Sequence, residues 1–164
     1  FGSRGSSSAP SFVKSLLPNV SATPDRIRDD IKRKIPLDSE DPQNRECIFW
    51  KLFADDKDWA ILKILTNYFG AVSSVFPDDW NPGKNSPLAR TIGFHALMRL
   101  LPDVFQIGSK VGTLDRSFFV DRFSRAKGLA GFSFDKYPAN GVGETQLFRD
   151  LHATVVAKKG DLSA

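Results

Sequence analysis

Two histidines and one cysteine are the side chains of this 164-residue sequence best suited to nucleophilic or metal chemistry. His95, His152 and Cys47 lie far apart in the sequence, so a reactive pair would require the fold to bring them together. Cys47 falls in an apolar stretch, where a buried and unreactive thiol is the expected state. No C-x-x-C or H-x-x-x-H spacing offers a zinc site. The sequence therefore predicts no catalytic residue, no metal site, no cofactor and no histidine facing a carboxylate in an open cleft.

The stretch Gly83-Lys84-Asn85-Ser86 is similar to the end of a phosphate-binding loop, but the rest of the pattern is missing. Such a loop needs G-x-x-x-x-G-K-[ST] directly after a buried strand. Here Asp78 stands where the first glycine belongs, and asparagine follows the lysine. Ser86 or Asn85, followed by Pro87, is typical of a helix N-terminus. We predict a helix cap and no nucleotide site.

Adjacent carboxylates and closely spaced glycines are the other local features that could bear on chemistry. Asp55-Asp56 and Asp78-Asp79 are neighbours whose side chains point apart, so they do not form a facing acid and base. Solvated loop acids are the favoured interpretation for both pairs. The sequence Gly141-Val142-Gly143 precedes a helix, where backbone N–H groups can attract an anion. A simple turn is favoured there, and an anion site is the alternative.

Two basic clusters supply the candidate contacts to nucleic acid. The formal net charge is +4, a mild excess that permits an acidic partner. Lysine and arginine side chains can contact phosphates, but aspartates interrupt both clusters, which is also typical of a solvated helix face. The candidate contacts are Arg26, Lys32 and Arg33 in the first cluster and Arg116, Arg122, Arg125 and Lys127 in the second.

The bulk properties indicate an ordinary globular domain. Hydrophobic residues make up 41% and charged residues 26% of the chain. No apolar run approaches the roughly 20 residues that span a bilayer, and no signal-peptide pattern is present, so we expect a cytoplasmic protein without a membrane partner. Residues 1–11 are predicted to be a flexible linker or severed loop. Residues 12–160 are predicted to be a single helical domain, the C-terminal part of a longer protein.

Apolar residues recur at helical spacing along most of the chain, which predicts an all-α fold, a compact bundle of about six helices. The predicted helices are 24–35, 41–54, 58–76, 86–101 (closed by Pro102), 115–127 and 144–158. Thr23 is the expected N-cap of the first of them. The segment near 128–143 is rich in turns, with a short strand at 132–134 as an alternative.

Three stretches resemble the C-terminal helical region of DGQHR-domain proteins, a bacterial family with distant ParB-like kinship that occurs with DNA-modification and phage-defence systems. They are ILKILTNYFGAVSSVFPDDW (61–80), SPLARTIGFHALMRLLPDVF (86–105) and GFSFDKYPANGVGETQLFRDL (131–151). In that family a helix ending in an aromatic and "FP..W" precedes a Ser-led helix with a Gly-Phe step. A Gly-bearing turn then leads into an "L(F/Y).(D/E)L" helix. The resemblance covers residues 45–155.

The resemblance implies a non-catalytic helical portion with an accessory or regulatory role in DNA modification or phage defence. It implies DNA and an upstream ParB-like domain of the same protein as partners. The Asp-Gly-Gln-His-Arg stretch itself does not occur in these 164 residues, so no functional residue of the family carries over. Trp80, Ser86 and Gly93 match the pattern, with expected roles as packing, cap and close helix contact. The alternatives are a helical protein–protein interaction module without a nucleic-acid role and an enzyme built on Cys47 and a histidine.

Overall fold

The computed structural model describes residues 9–81 and 83–157, which form helices and turns without a strand among them. In chain order the helices are α1 (Ala9–Val20), α2 (Pro24–Lys32), α3 (Trp50–Ala54), α4 (Asp58–Val75), α5 (Pro77–Trp80), α6 (Thr91–Val111), α7 (Arg116–Ser124) and α8 (Gly141–Val155), with short 3-10 turns at Pro87–Ala89 and Lys127–Leu129. The predicted all-α fold is confirmed. The alternative of a strand at 132–134 is wrong, because the Phe132 N–H donates to a carboxylate and not to a neighbouring strand.

The described residues group into two compact units, 9–66 and 67–157. The prediction of one domain over 12–160 stays a prediction, because this grouping does not show whether the units fold separately. Residues 1–8 of the predicted linker and 158–160 of the predicted domain lie outside the described residues. Residues 9–11 form the first turn of α1, so the predicted linker is wrong there. Phe12 and Leu16, four residues apart and half-buried, give α1 the inward face that favours a helix.

Residues 41–49 form successive turns where the sequence predicts a helix. The Asn44 side chain is fully buried, and its Oδ1 accepts hydrogen bonds from Ser21 Oγ and Ala22 N, both at 2.8 Å. The Asp41 carboxylate accepts from the Asn44 amide at 2.9 Å and from Gln43 N at 3.0 Å. Such side-chain bonds to nearby backbone groups compete with helix formation, so regular helix is delayed until α3.

Helix α6 passes through Pro102, where the sequence predicts its end. The proline ring removes the hydrogen bond that residue 102 would donate to the Met98 carbonyl. The helix continues because its apolar face continues, with Leu101, Val104 and Gly108 buried. Burial of that face outweighs the loss of one backbone bond, since packing contributes most of the stability of helices in proteins.

Side-chain caps fix the starts of α7 and α8. Asp115 accepts from Phe118 N at 2.8 Å, which confirms the predicted start of the fifth helix. Asn140 accepts from Val142 N and Gly143 N, so α8 begins three residues before the predicted position. Cap residues that satisfy these N–H groups stabilise a helix by about 1 kcal/mol.

Tyr68 lies at the centre of the 67–157 unit. Its ring is fully buried and packs edge-on against Phe119 and Phe123, with centroids 5.4 and 5.2 Å away. The hydroxyl donates to the Leu97 carbonyl at 2.8 Å. Burial raises the pKa of Tyr68 well above its ordinary value. The phenol therefore stays neutral and acts as a core hydrogen-bond donor linking α4 to α6.

Candidate functional site

Asp79 is a buried carboxylate that organises the 67–157 unit. It is 7% exposed, and its two oxygens accept three hydrogen bonds. The donors are Ser86 Oγ at 3.0 Å, Phe132 N at 3.0 Å and Gly131 N at 2.9 Å. The predicted solvated acid is therefore wrong for Asp79, because the turn-rich segment brings two unpaired amide groups to it.

The neighbouring Asp78 behaves as predicted. Its side chain is exposed and lies 3.5 Å from Lys84 Nζ. Ser86 precedes the 3-10 turn as its N-cap residue but makes no capping hydrogen bond with its side chain. The hydroxyl is used by Asp79, so the prediction of a side-chain cap at Ser86 is wrong.

Two glycines of the resembling stretches lie where the backbone approaches too closely for a side chain. A Cβ on Gly93 would stand 2.1 Å from the Leu88 carbonyl oxygen, and one on Gly143 would stand 1.9 Å from the Pro138 carbonyl oxygen. Asn140 already accepts from Val142 N and Gly143 N. Two of the N–H groups that an anion would need at this turn are thus occupied, in keeping with the favoured interpretation of a simple turn.

Helices α6 and α8 meet along a seam where both histidines contact carboxylates. His95 Nδ1 lies 3.2 Å from Glu144 Oε2, and His152 Nε2 lies 3.2 Å from Asp103 Oδ2. All four side chains are partly exposed. The earlier residue of α6, His95, pairs with the earlier residue of α8, Glu144, and the later residues Asp103 and His152 pair likewise. The two helices therefore run in the same direction. The members of each pair are 49 residues apart in the sequence, so local spacing does not predict these contacts.

An arginine lies between the two histidine pairs on this seam. The Arg99 guanidinium lies 4.4 Å from the centroid of the Phe148 ring, and its Nη1 donates to Glu144 at 3.3 Å. Contacts of this kind contribute roughly 0.5–1 kcal/mol at partly exposed positions. The seam therefore fastens α8 to α6 by alternating polar and aromatic contacts.

A histidine held by a carboxylate is also the arrangement that orients a general base. A nucleophilic mechanism would need a hydroxyl or thiol within hydrogen-bond reach of the ring. Among the side-chain hydrogen bonds of the described residues, His95 bonds only to Glu144 and His152 only to Asp103. The pairs therefore contribute helix contacts, and the geometry assigns them no reacting partner.

A second polar cluster joins the turn-rich segment to α8 through Asp150. Its carboxylate accepts from Tyr137 Oη at 2.7 Å, Gln146 Nε2 at 2.7 Å and Lys136 Nζ at 2.9 Å. Burial alone would raise the pKa of Asp150, but the hydrogen bonds from Tyr137, Lys136 and Gln146 together outweigh it and lower that pKa. Hydrogen bonds from Lys136 to Tyr137 and Asp150 raise the lysine pKa to about 12. Lys136 and Asp150 are therefore both charged at neutral pH.

The basic cluster of α7 is largely committed to the fold. Arg122 and Arg125 both donate to the Ala157 carbonyl oxygen after α8, at 3.2 and 2.8 Å. Arg116 donates to the Gly70 carbonyl at 3.0 Å. Lys127 is exposed and forms no ion pair with the residues described.

Arg122 does not lie on the solvated face where the sequence places it. The side chain is 7% exposed, and its Nε has no partner among the described residues. Burial and, secondly, the neighbouring Arg125 lower the pKa of Arg122. The carbonyl at the end of α8 attracts a cation, which explains why this arginine turns inward.

The first basic cluster is more open than the second. Arg26 pairs with Asp41 and lies 3.7 Å from Asp30. Lys32 and Arg33 are exposed and form no ion pair within the part of the chain that is described. Of the seven candidate nucleic-acid contacts, Lys32, Arg33 and Lys127 are the ones whose charged groups have no carboxylate or carbonyl partner here.

Cys47 is half-buried and is a free cysteine. Burial, followed by the nearby Glu46 carboxylate, raises the pKa of its thiol. A raised pKa disfavours the thiolate, which is the nucleophilic form. Cys47 is thus less buried than the sequence predicts, and its lack of reactivity stays a prediction.

Within residues 9–81 and 83–157, no group of three or more His, Cys, Asp and Glu side chains is placed to hold a metal ion. Of the helices described, none combines the length and the apolar character needed to cross a membrane. No protein-family model matches this chain, and no curated protein and no solved structure does either.

Proposed function

We propose that this chain is the non-catalytic helical portion of a DGQHR-type protein with an accessory or regulatory role in DNA modification or phage defence. We further propose that it contacts DNA phosphates through exposed basic side chains. One observation carries the family assignment: the three resembling stretches converge on Asp79.

The convergence joins positions that are separate in the sequence. Asp79 belongs to the first stretch, Ser86 to the second, and Gly131 and Phe132 to the third, and all are linked by hydrogen bonds to the one carboxylate. Phe76 of the first stretch packs edge-on against Phe132, with centroids 5.4 Å apart. Soft motifs that jointly build one buried centre support a shared fold better than apolar spacing alone, because this centre uses the carboxylate of Asp79 and the hydroxyl of Ser86.

The proposed DNA contacts are Lys32, Arg33 and Lys127. A basic side chain that is exposed and has no ion-pair partner can neutralise a DNA phosphate without first breaking a hydrogen bond or ion pair within the protein. Arg116, Arg122 and Arg125 would each have to give up a backbone carbonyl. We therefore expect substitution of these three arginines to affect folding stability more than DNA affinity.

Salt-dependent titration of a fluorescent duplex with the full chain tests the DNA contact. Each lost phosphate contact lowers the slope of log affinity against log salt by about 1. We expect Lys32→Ala/Arg33→Ala to lower that slope by about 2 and to weaken binding equally for unrelated sequences. The matched control is Lys63→Ala/Lys110→Ala. It also removes two exposed positive charges, so the two double variants have the same net charge.

The control should bind close to the wild-type protein. Equal weakening by the two double variants would mean that only net charge matters and would remove the assigned contacts. An affinity that does not change with salt would contradict DNA binding through phosphates altogether.

A specific observation also favours the second candidate, a protein–protein interaction module. Most large apolar side chains that are exposed in the described residues lie in the 9–66 unit: Val13, Leu17, Ile31, Ile35, Trp59 and Leu62. Val13 and Leu17 of α1, and Trp59 and Leu62 of α4, are three or four residues apart and therefore lie on one side of their helix. Ile31 lies in the last turn of α2, and Ile35 follows the end of that helix. Contiguous exposed apolar surface commonly marks an interaction site.

A further inference from the structure

The first turns of α4 expose an apolar pair. Trp59 is 66% and Leu62 is 67% exposed, and their spacing of three residues places them on the same side of the helix. Tryptophan is enriched among the residues that dominate binding energy at protein interfaces. An exposed Trp-Leu pair on a rigid helix is thus a candidate anchor for a partner.

The charges beside this pair are mainly negative. Asp56 and Asp58 are exposed and have no ion pair within the described residues, whereas Asp55 is neutralised by Lys57 at 3.2 Å. Lys63 supplies one positive charge a turn further along the helix. We call Asp56, Asp58, Trp59 and Leu62 the Trp59 face. It is apolar with an acidic border.

The end of α2 has the opposite character. Ile31 is 51% and Ile35 is 47% exposed, and between them lie Lys32, Arg33 and Lys34, all exposed and without an ion pair among the described residues. We call these five residues the Ile31 face. It is apolar with a basic border, so it complements the Trp59 face in both respects.

The Ile31 face is held rigid by the way in which α2 ends. Lys34 adopts a left-handed conformation with φ 57°. Its N–H donates to the Ile31 carbonyl, and the Ile35 N–H donates to the Asp30 carbonyl, both at 3.0 Å. This pair of bonds is the Schellman closure of a helix. A preorganised face loses little conformational entropy on binding.

We propose that the partner of the Trp59 face is a second copy of this chain, which docks through its Ile31 face. In a dimer with two-fold symmetry each copy would give one face and receive the other, so the contact forms twice. A stable interface buries about 800 Å² on each partner. In the reciprocal contact, the Trp59 face and the Ile31 face of each copy both contribute to that buried area. The inference deepens the interaction alternative and does not depend on DNA binding.

Sedimentation equilibrium over a concentration series tests the dimer. We expect the wild-type chain to associate reversibly and Trp59→Ala to raise the dimer dissociation constant at least tenfold, because a central anchor is truncated. The control is Val142→Ala, which truncates another side chain that is 73% exposed and belongs to neither face. It should leave the dissociation constant unchanged within about twofold.

Charge exchange provides a second test that does not rely on Trp59. Lys32→Glu/Arg33→Glu makes both faces acidic, and Asp56→Lys/Asp58→Lys makes both basic, so each variant alone should stay monomeric. Mixing the two variants should restore association, because every contact then joins opposite charges. Circular dichroism of each variant confirms that the helices persist.

A wild-type chain that stays monomeric up to about 1 mM would overturn the proposal and leave the Trp59 face to a different protein. Equal effects of Trp59→Ala and Val142→Ala, or a mixture of charge variants that fails to associate, would also overturn it. Lys32 and Arg33 belong to both proposals, so the dimer would cover two of the proposed DNA contacts. Trp59→Ala leaves both side chains intact, so loss of the dimer with DNA binding equal to or stronger than that of the wild-type chain separates this inference from the DNA proposal.

Discussion

Replacing Asp79 with alanine is expected to lower the free energy of unfolding by about 3 kcal/mol or more. The substitution leaves the N–H groups of Gly131 and Phe132 and the hydroxyl of Ser86 without their acceptor. Each buried donor left unsatisfied costs about 1–3 kcal/mol, and hydrogen bonds to a charged acceptor are the stronger kind. Urea unfolding followed by circular dichroism measures the change as a shift in midpoint.

The adjacent Asp78 provides the control. Asp78→Ala removes an exposed carboxylate that forms an ion pair with Lys84 at 3.5 Å, and an exposed pair of this kind contributes at most about 1 kcal/mol. Asp79→Asn should fall between the two alanine variants, because its amide keeps one acceptor oxygen. If Asp79→Ala were no more harmful than Asp78→Ala, Asp79 would not organise this unit.

Gly143→Ala is expected to destabilise the protein by about 3 kcal/mol. The new Cβ would stand 1.9 Å from the oxygen and 2.6 Å from the nitrogen of Pro138. These are backbone atoms, so the clash is relieved only when the turn moves away from α8. The same unfolding measurement applies, and a loss of helical signal at zero urea would show the same defect in a stronger form.

Gly141, two residues earlier in the same helix, is the matched control. A Cβ on Gly141 meets no atom within 4 Å, and replacing glycine by alanine at an unstrained position stabilises by about 0.4–1 kcal/mol. Gly141→Ala should therefore be neutral or slightly stabilising. A Gly143→Ala variant as stable as Gly141→Ala would contradict the close approach of Pro138.

The helices with strong apolar periodicity are the part of the fold that the sequence predicts well. The prediction of 58–76 for α4 matches its observed range of Asp58–Val75, because buried residues recur along that helix and proline follows it. The predicted end at Pro102 fails because tertiary packing of α6 is worth more than one backbone bond. The predicted helix over 41–54 is confirmed at Trp50–Ala54 but wrong over 41–49, because Asp41 and Asn44 bond to nearby backbone and side chains.

The polar centres could not be found from spacing. Asp79 looks like one of two loop acids, and two of its three donors, the N–H groups of Gly131 and Phe132, come from a turn more than 50 residues later. Arg122 looks like a surface base, but its partner is a carbonyl 35 residues away. The histidine pairs also depend on the register of α6 against α8. Each of these contacts is set by tertiary structure, which local periodicity does not encode.

The sequence of the gene segment that precedes the codon for Phe1 tests the family proposal most directly. If this chain is the helical portion of a DGQHR-type protein, the same open reading frame will encode Asp-Gly-Gln-His-Arg or a close variant upstream. An extended upstream frame that encodes neither would contradict the account.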